Sequence, residues 1–354
     1  MIPTAARPAA LTAAEPTSER ILQTGFGFWA AKALLSAVEL GVFTELAAGP
    51  MEGHVLAARL GVHRRAANDF FDSLVALKFL NRDDLGRYSN SEDASQFLDR
   101  RKNSYIGGVL EMANAHLFEH WNGLTDALRT GRPQNEAKGQ DAAGRGDHFA
   151  AIYRTPERLK CFLQAMTGIS LNAGRVMAEK FPWAKHKTVL DIGTAEGGLP
   201  VQLLLAHGHL SGIGFDLPEV KPVFHDYIAK MNLADRLTFV GGDAFKDQLP
   251  DADVIVLGHM LHGWGAAGKR LLLERAFRAL PLGGACIVYD AMIDDDRREN
   301  VFGLLMSLNM LIETDDGFDY TPAQCNQWLA DAGFREIRTE HLTGPDSMCV
   351  GVKL

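Results

Sequence analysis

The sequence predicts two parts: a helical winged-helix region in front, and an α/β domain with a mostly parallel, doubly wound, Rossmann-like sheet behind it. Three observations carry this. From Lys187 onward, short apolar runs alternate with helical stretches, the grammar of a parallel sheet. The last two strand-like segments, Glu336–His341 and Met348–Lys353, are joined by a short Gly344–Pro345 turn, so the sheet closes on an antiparallel pair. Met51 to Leu98 reads as helix, turn, helix and wing. The 354 residues suit two domains. A composition of 47% hydrophobic and 23% charged residues is ordinary for a globular protein. The net charge of −8 argues against a phosphate-backbone binder.

Residues 1–18 are rich in Ala, Pro and Thr and lack a basic start followed by an apolar core. They read as a disordered tail, not a secretory signal. The winged-helix region is expected over 19–100. Glu19 to Leu46 is helical, with Phe28, Ala31, Leu35, Val38 and Val42 at spacings of three and four and Gly41 as a stop. His54–Leu60 and His63–Phe79 follow as helices around the Gly61–Val62 turn. The second turns Ala67, Phe70, Phe71, Leu74 and Leu77 inward. The Asn81–Gly86 turn then leads into a small hairpin at Arg87–Ser89.

A winged helix either reads DNA or pairs subunits. Over 51–100 there are seven basic and eight acidic residues, a poor surface for phosphates. Pairing is therefore the expectation: a homodimer through the apolar Phe26–Phe43 segment, with no nucleic-acid partner. No apolar run reaches the roughly 18 residues that span a bilayer, so no membrane partner is expected either. The four scattered cysteines predict buried thiols in a reducing, cytoplasmic setting.

Residues 101–180 form a connecting segment, with helices at Tyr105–Arg129 and Thr155–Phe181. The polar stretch Thr130–Asp147 between them is either a loop or a lid. The α/β domain fills 181–354. Its strands are Thr188–Ile192, Gly212–Phe215, Leu237–Val240, Val254–Leu257 and Ala285–Tyr289, with helices at Leu199–Ala206, Pro218–Met231 and Lys269–Ala279 before the final pair.

The chemistry gathers at the carboxyl ends of these strands. Asp191-Ile-Gly-Thr-Ala-Glu-Gly-Gly198 follows the first strand. Its glycines let the backbone approach a ligand, but the spacing is not GxGxxG. Asp191 stands where it would repel a dinucleotide's pyrophosphate. S-adenosylmethionine has no phosphate and carries a cationic amine and a sulfonium, so the same acid becomes favourable. Asp216, at the end of the second strand, suits the ribose hydroxyls. Asp243 follows the third strand and suits the adenine amino group, with Phe245 against the ring. A dinucleotide-dependent oxidoreductase is correspondingly disfavoured.

Asp191–Gly198, Phe215-Asp216-Leu217-Pro218, Gly241-Gly242-Asp243 and Leu261-His262-Gly263-Trp264 together resemble the bacterial and plant-type small-molecule O-methyltransferases. These include hydroxyindole and caffeic-acid O-methyltransferases and antibiotic-tailoring enzymes. The resemblance runs from about Glu19 to the end. It implies a class I methyltransferase domain behind a winged-helix dimerisation domain, with S-adenosylmethionine as methyl donor and no metal. It places the cofactor on Asp191, Gly193, Gly197, Asp216, Leu217, Asp243, Ala244, Phe245 and Gly258. The catalytic base falls on His262, flanked by Asp290 and Asp319 where the plant enzymes have glutamates. The acceptor pocket falls on Phe162, Met166, Trp264, Met306 and Met310.

The family's aspartate after the histidine is Gly263 here. An imidazole is suited to removing a hydroxyl proton as the methyl group arrives. An S-, N- or C-acceptor on a small acid is the alternative, because a thioether needs no base. A ligand-sensing winged-helix regulator is the reading from another class, and the non-basic second helix speaks against it. A His259–His262 metal pair lacks an evident third ligand in the sequence.

Overall fold

A computed structural model describes residues 16–135 and 155–354. Most of the tail expected over 1–18, and most of the Thr130–Asp147 connection, lie outside the described residues.

The front region has a small sheet of β1 (Met51–Glu52), β2 (Leu80–Arg82) and β3 (Arg87–Asn90) in the order β1-β3-β2. Helices Gly53–Leu60 and Arg64–Ala76 pack beside it. Leu56, Phe71, Leu74 and Tyr88 form its core with Val42 and Phe43. Two expectations shift here. The second helix stops at Ala76, because Lys78 turns left-handed at φ +68° and redirects Phe79 toward β2. Sequence pattern also missed β1, which is too short to show a period.

The long N-terminal helix is broken. It runs Glu19–Gly25, bends at Phe26 and resumes as Gly27–Leu40, ending on a left-handed Gly41. Gly25 and Gly27 flank the bend, and glycine weakens a helix interior. Ile21, Leu22, Phe26, Phe28 and Trp29 are all exposed. Phe28 and Trp29 border an apolar groove of about 1080 Å³ that also reaches Phe70, Phe118 and Trp121. By length and composition, Glu19–Leu40 is also apolar enough to cross a bilayer, although polar and charged residues interrupt it.

Tyr105–Arg129 is several short pieces rather than one helix: Gly107–Met112, a wider turn at Ala113–Leu117, Phe118–His120, a tight turn at Trp121–Gly123, and Leu124–Thr130. The Pro156–Lys180 helix is continuous, capped by the Thr155 side chain with Pro156 in its first turn.

The α/β domain holds seven strands: β4 (Thr188–Ile192), β5 (Ser211–Asp216), β6 (Leu237–Gly241), β7 (Val254–Gly258), β8 (Ala285–Asp290), β9 (Arg335–Thr343) and β10 (Asp346–Val352). Their order is β6-β5-β4-β7-β8-β10-β9. The first five pair in parallel, and β10 runs antiparallel between β8 and β9. Central β4, β7 and β8 are almost wholly buried, as expected when helices cover both faces. One core holds Leu163, Met177, Leu199 and Phe224, and the other Leu272, Leu273, Leu329 and Phe334. All five parallel strands therefore point their carboxyl ends to one edge, where the order reverses between β4 and β7.

Candidate active site

The turn after β4 is shaped by left-handed backbone at Gly193 (φ +73°), Ala195 (φ +53°) and Gly197 (φ +89°). A Cβ on Gly197 would come within 2.8 Å of the Phe224 ring. Inside the turn Asp191 is buried, and it has no ion-pair partner among the described residues. Burial pushes its carboxyl up to about 7, and nearby Asp216 adds to the rise. A buried acid without a cation is what a cationic amine would complete, so the turn fits the α-amino group of S-adenosylmethionine.

Asp216 caps β5. Its Oδ2 accepts from the Ala195 amide at 2.9 Å and its Oδ1 from the Leu217 amide at 2.8 Å. These two bonds fix the carboxylate against the turn, beside the position a ribose would take. Asp243 follows β6 and has partners of its own. Its Oδ1 accepts from the Phe245 amide at 2.8 Å, and its Oδ2 is paired with Lys246 at 2.7 Å. An adenine amino group would have to share this carboxylate with a lysine. Phe245 stacks edge-on against Trp264, with ring centres 4.5 Å apart. Trp264, expected against the acceptor, therefore also touches Phe245, expected against the adenine. Ala244, beside Phe245 in sequence, is buried. At Gly258 a Cβ would lie 2.0 Å from the Tyr289 ring, so packing alone also requires a glycine there.

The second cluster lies just past β7. His262 sits in the short turn Leu261–Gly263. Its Nδ1 is 3.2 Å from Asp319 Oδ1, a hydrogen bond, and 3.6 Å from Asp290 Oδ1. Asp290, the last residue of β8, is fully buried, and Tyr320 donates a short hydrogen bond to its Oδ2. Burial works against a charged His262, but Asp290 and the hydrogen-bonded Asp319 outweigh it and lift the imidazole to about 9. Asp290 itself is pushed upward by burial, while His262 and His259 pull the other way. The three residues that the resemblance singled out, far apart in sequence, are thus one contact cluster.

Two further groups belong to this cluster: His259, which the sequence pairs with His262, and Lys269, which sequence reasoning missed. His259, held left-handed at φ +47°, places its Nδ1 3.6 Å from Asp290 and its Nε2 3.6 Å from Asp346. Asp290 supplies the third partner that the His259–His262 pair lacked, with one donor atom of each within 4.8 Å of the others. Lys269 is fully buried beside the cluster. Its signal was present: it shares the inward spacing of Leu272, Leu273 and Ala276 in the Ala266–Ala279 helix, a charge on an apolar face.

On the Val301–Glu313 helix, Met310 is buried and Met306 half-buried. The same helix carries two polar links: Trp121 Nε1 donates to Asn309 Oδ1 at 2.9 Å, and His120 Nδ1 lies 2.8 Å from Glu313. Ser307 receives the Asp319 amide at 3.2 Å, which ties this helix to the base. Phe162 and Met166 pack half-buried against the core on the Pro156–Lys180 side of the sheet. A Cβ on Gly263 would meet nothing within 4 Å.

The sheet order and the strand-end carboxylates define a class I, S-adenosylmethionine-dependent methyltransferase. The chain belongs to the O-methyltransferase family: residues 121–335 match the O-methyltransferase domain and residues 22–100 the O-methyltransferase dimerisation domain. It is 44% identical to the tetracenomycin polyketide synthesis 8-O-methyl transferase TcmO of Streptomyces glaucescens, over 94% of this chain and 96% of that one. It is 36% identical to the N,N-dimethyltransferase OxyT of Streptomyces rimosus, again over 94% and 96%. Human N-acetylserotonin methyltransferase, solved with S-adenosylmethionine, superposes with a TM-score of 0.87 at 29% identity, covering 97% of this chain and 99% of that one. S-adenosylmethionine is accordingly the methyl donor here.

Proposed function

We propose that this enzyme methylates a phenolic hydroxyl on a fused aromatic, polyketide-type acceptor, with His262 as general base and Asp290 and Asp319 as its electrostatic partners. The observation that carries the reading is the 3.2 Å hydrogen bond that His262 Nδ1 donates to Asp319 Oδ1 inside a buried acidic cluster. The likeness to TcmO suggests the acceptor class. When bound, S-adenosylmethionine supplies an electrophilic methyl group on its sulfonium. Asp191 receives the amine, Asp216 the ribose, and Phe245 with Trp264 the adenine side. Gly193, Gly197, Leu217 and Ala244 line the approach.

With Nδ1 held by Asp319, Nε2 is the nitrogen of His262 left for the acceptor. The two carboxylates stabilise the imidazolium, so a phenol that gives its proton to His262 leaves a phenolate beside a cation. Phe162, Met166, Met306 and Met310 are the apolar walls in this reading. The domain division follows: 19–100 for dimerisation, 101–180 for connection and pocket, and 181–354 for catalysis. A second copy covers the exposed Phe26, Phe28 and Trp29 face, giving a homodimer. The four free cysteines fit a cytoplasmic setting.

The test is a screen of aromatic polyketide phenols and of matched amines with S-adenosylmethionine, read by mass spectrometry. Methylation of phenols supports the reading. Methylation confined to amines replaces it with N-transfer, the reading that the likeness to OxyT favours.

A further inference from the structure

Lys269 has no exposed surface. Its Nζ donates to the carbonyl oxygens of Trp264 and Phe318, the latter at 2.8 Å. The ammonium also stands 3.7 Å from the Phe318 ring centre, with Tyr320 and Trp328 further round. It has no carboxylate within ion-pair distance among the described residues. Burying a charge in that way is costly, and a methionine would fill similar space. Fold stability alone is therefore a poor reason for a lysine here.

What Lys269 joins is specific. Trp264 is two residues past His262, and Phe318 directly precedes Asp319. The two carbonyls belong to the two segments whose side chains form the His262–Asp319 hydrogen bond. We propose that Lys269 is a positioning residue for methyl transfer: its ammonium clamps the turn that carries His262 to the loop that carries Asp319, and offsets the charge of the buried aspartates. Asp290 and Asp319 ion-pair only with histidines among the described residues. Lys269 thus adds a cation that leaves the base's nitrogen unblocked.

The groups around it act on one another. Asp290, Asp319 and Asp316 face the ammonium; His262 shares the first two; His259 and Tyr320 touch Asp290, and Asp346 lies beyond His259. Burial pulls Lys269 down to about 8 against the three aspartates. Lys269 in turn opposes the rise that Asp290 and Asp319 impose on His262. The ammonium therefore disfavours protonation of the imidazole beside it.

The inference rests on His262 acting as the base. The test compares Lys269→Met, Lys269→Gln and Lys269→Arg by cofactor calorimetry and by kcat against pH. Lys269→Met should keep its affinity for S-adenosylmethionine within about twofold and lose about tenfold or more in kcat near neutrality. Its rising limb should move up by about a few tenths of a pH unit, because the charge opposing protonation of His262 is gone, and by no more because Lys269 already loses most of that charge above about 8. Lys269→Gln should show the same shift with a smaller rate loss, since it keeps a donor. Lys269→Arg should hold the limb in place.

A Met variant that matches the unaltered enzyme, or is slower by one factor at every pH with an unmoved limb, overturns the proposal. If none of the variants folds, carbon-13 lysine NMR of the unaltered enzyme and of His262→Phe decides. The Lys269 titration should rise when the neighbouring imidazolium is removed, and an unchanged titration overturns the proposal. If His262→Ala keeps its full rate with a flat pH profile, the base reading itself fails. An inactive His262→Ala beside an unmoved limb in Lys269→Met defeats only the clamp.

Discussion

The cofactor end of the sheet and the base cluster stand at the same edge of the same sheet, yet they are built differently. At the cofactor end two of the three carboxylates are held by backbone amides: Asp216 by those of Ala195 and Leu217, Asp243 by that of Phe245. In the base cluster the contacts run between side chains. His262 comes from a short turn, Asp290 from the end of β8 and Asp319 from a loop, and they meet side chain to side chain. The first arrangement recognises a constant ligand with fixed polar groups. The second holds several titratable groups in a buried space, where each one's charge depends on its neighbours. Damage to the first should change binding, and damage to the second should change rate and its pH dependence.

The largest expected effect breaks the two regions apart. His262→Ala should lower kcat by about 10²–10⁴, the range for loss of a general base, while calorimetry shows unchanged affinity for S-adenosylmethionine. A weakened cofactor affinity of similar size would mean that the regions are not separable.

Asp216→Ala is the converse. Removing the ribose acceptor should cost about 1–3 kcal/mol of cofactor binding, or about 5–150-fold in Kd, with kcat at saturating cofactor barely altered. A matching loss in kcat would show that Asp216 also orients the methyl group.

Asp290→Asn and Asp319→Asn sharpen the account of the base. Each removes a negative charge that lifts His262, so each rising limb should fall from about 9 toward the ordinary imidazole range. The rate loss should be about tenfold, smaller than for the base itself. An upward movement of the limb would contradict the assigned electrostatics.

Cofactor binding should have its own pH step at Asp191. The cationic amine favours the ionised carboxylate, whose value stands at about 7 in the free site. Affinity should therefore weaken by about fivefold between pH 7 and pH 6, as protons compete for the acid, and Asp191→Asn should abolish the step. Calorimetry at several pH values reads this directly.

Gly263→Asp should have the smallest effect. The position has open space around its Cβ, and restoring the family's carboxylate should leave kcat within about threefold. A sharp loss would show that the acceptor occupies this space.

Much of the sheet was legible without coordinates, because strand periods, Gly-rich turns and strand-end acids are written in short windows of sequence. The clustering of Asp191, Asp216 and Asp243 follows directly, since successive parallel strands bring their ends together. Local pattern also placed the helix stop at Gly41 and the wing. It failed where distant packing decides local shape: the bend at Phe26, the early end at Ala76, and the broken pieces between Tyr105 and Arg129.

The sequence alone determined that this chain is a winged-helix region followed by a doubly wound sheet whose first acids suit a cationic nucleoside. It named His262, Asp290 and Asp319, but only through resemblance. The tertiary structure decided that His262 meets both aspartates, that His259 and Lys269 join them, and that Tyr289 packs against Gly258. The physical reason is reach. Hydrogen bonds from backbone amides to a nearby carboxylate are fixed by a few dihedral angles, whereas a buried charge takes its state from every group within several ångströms, whatever their separation along the chain.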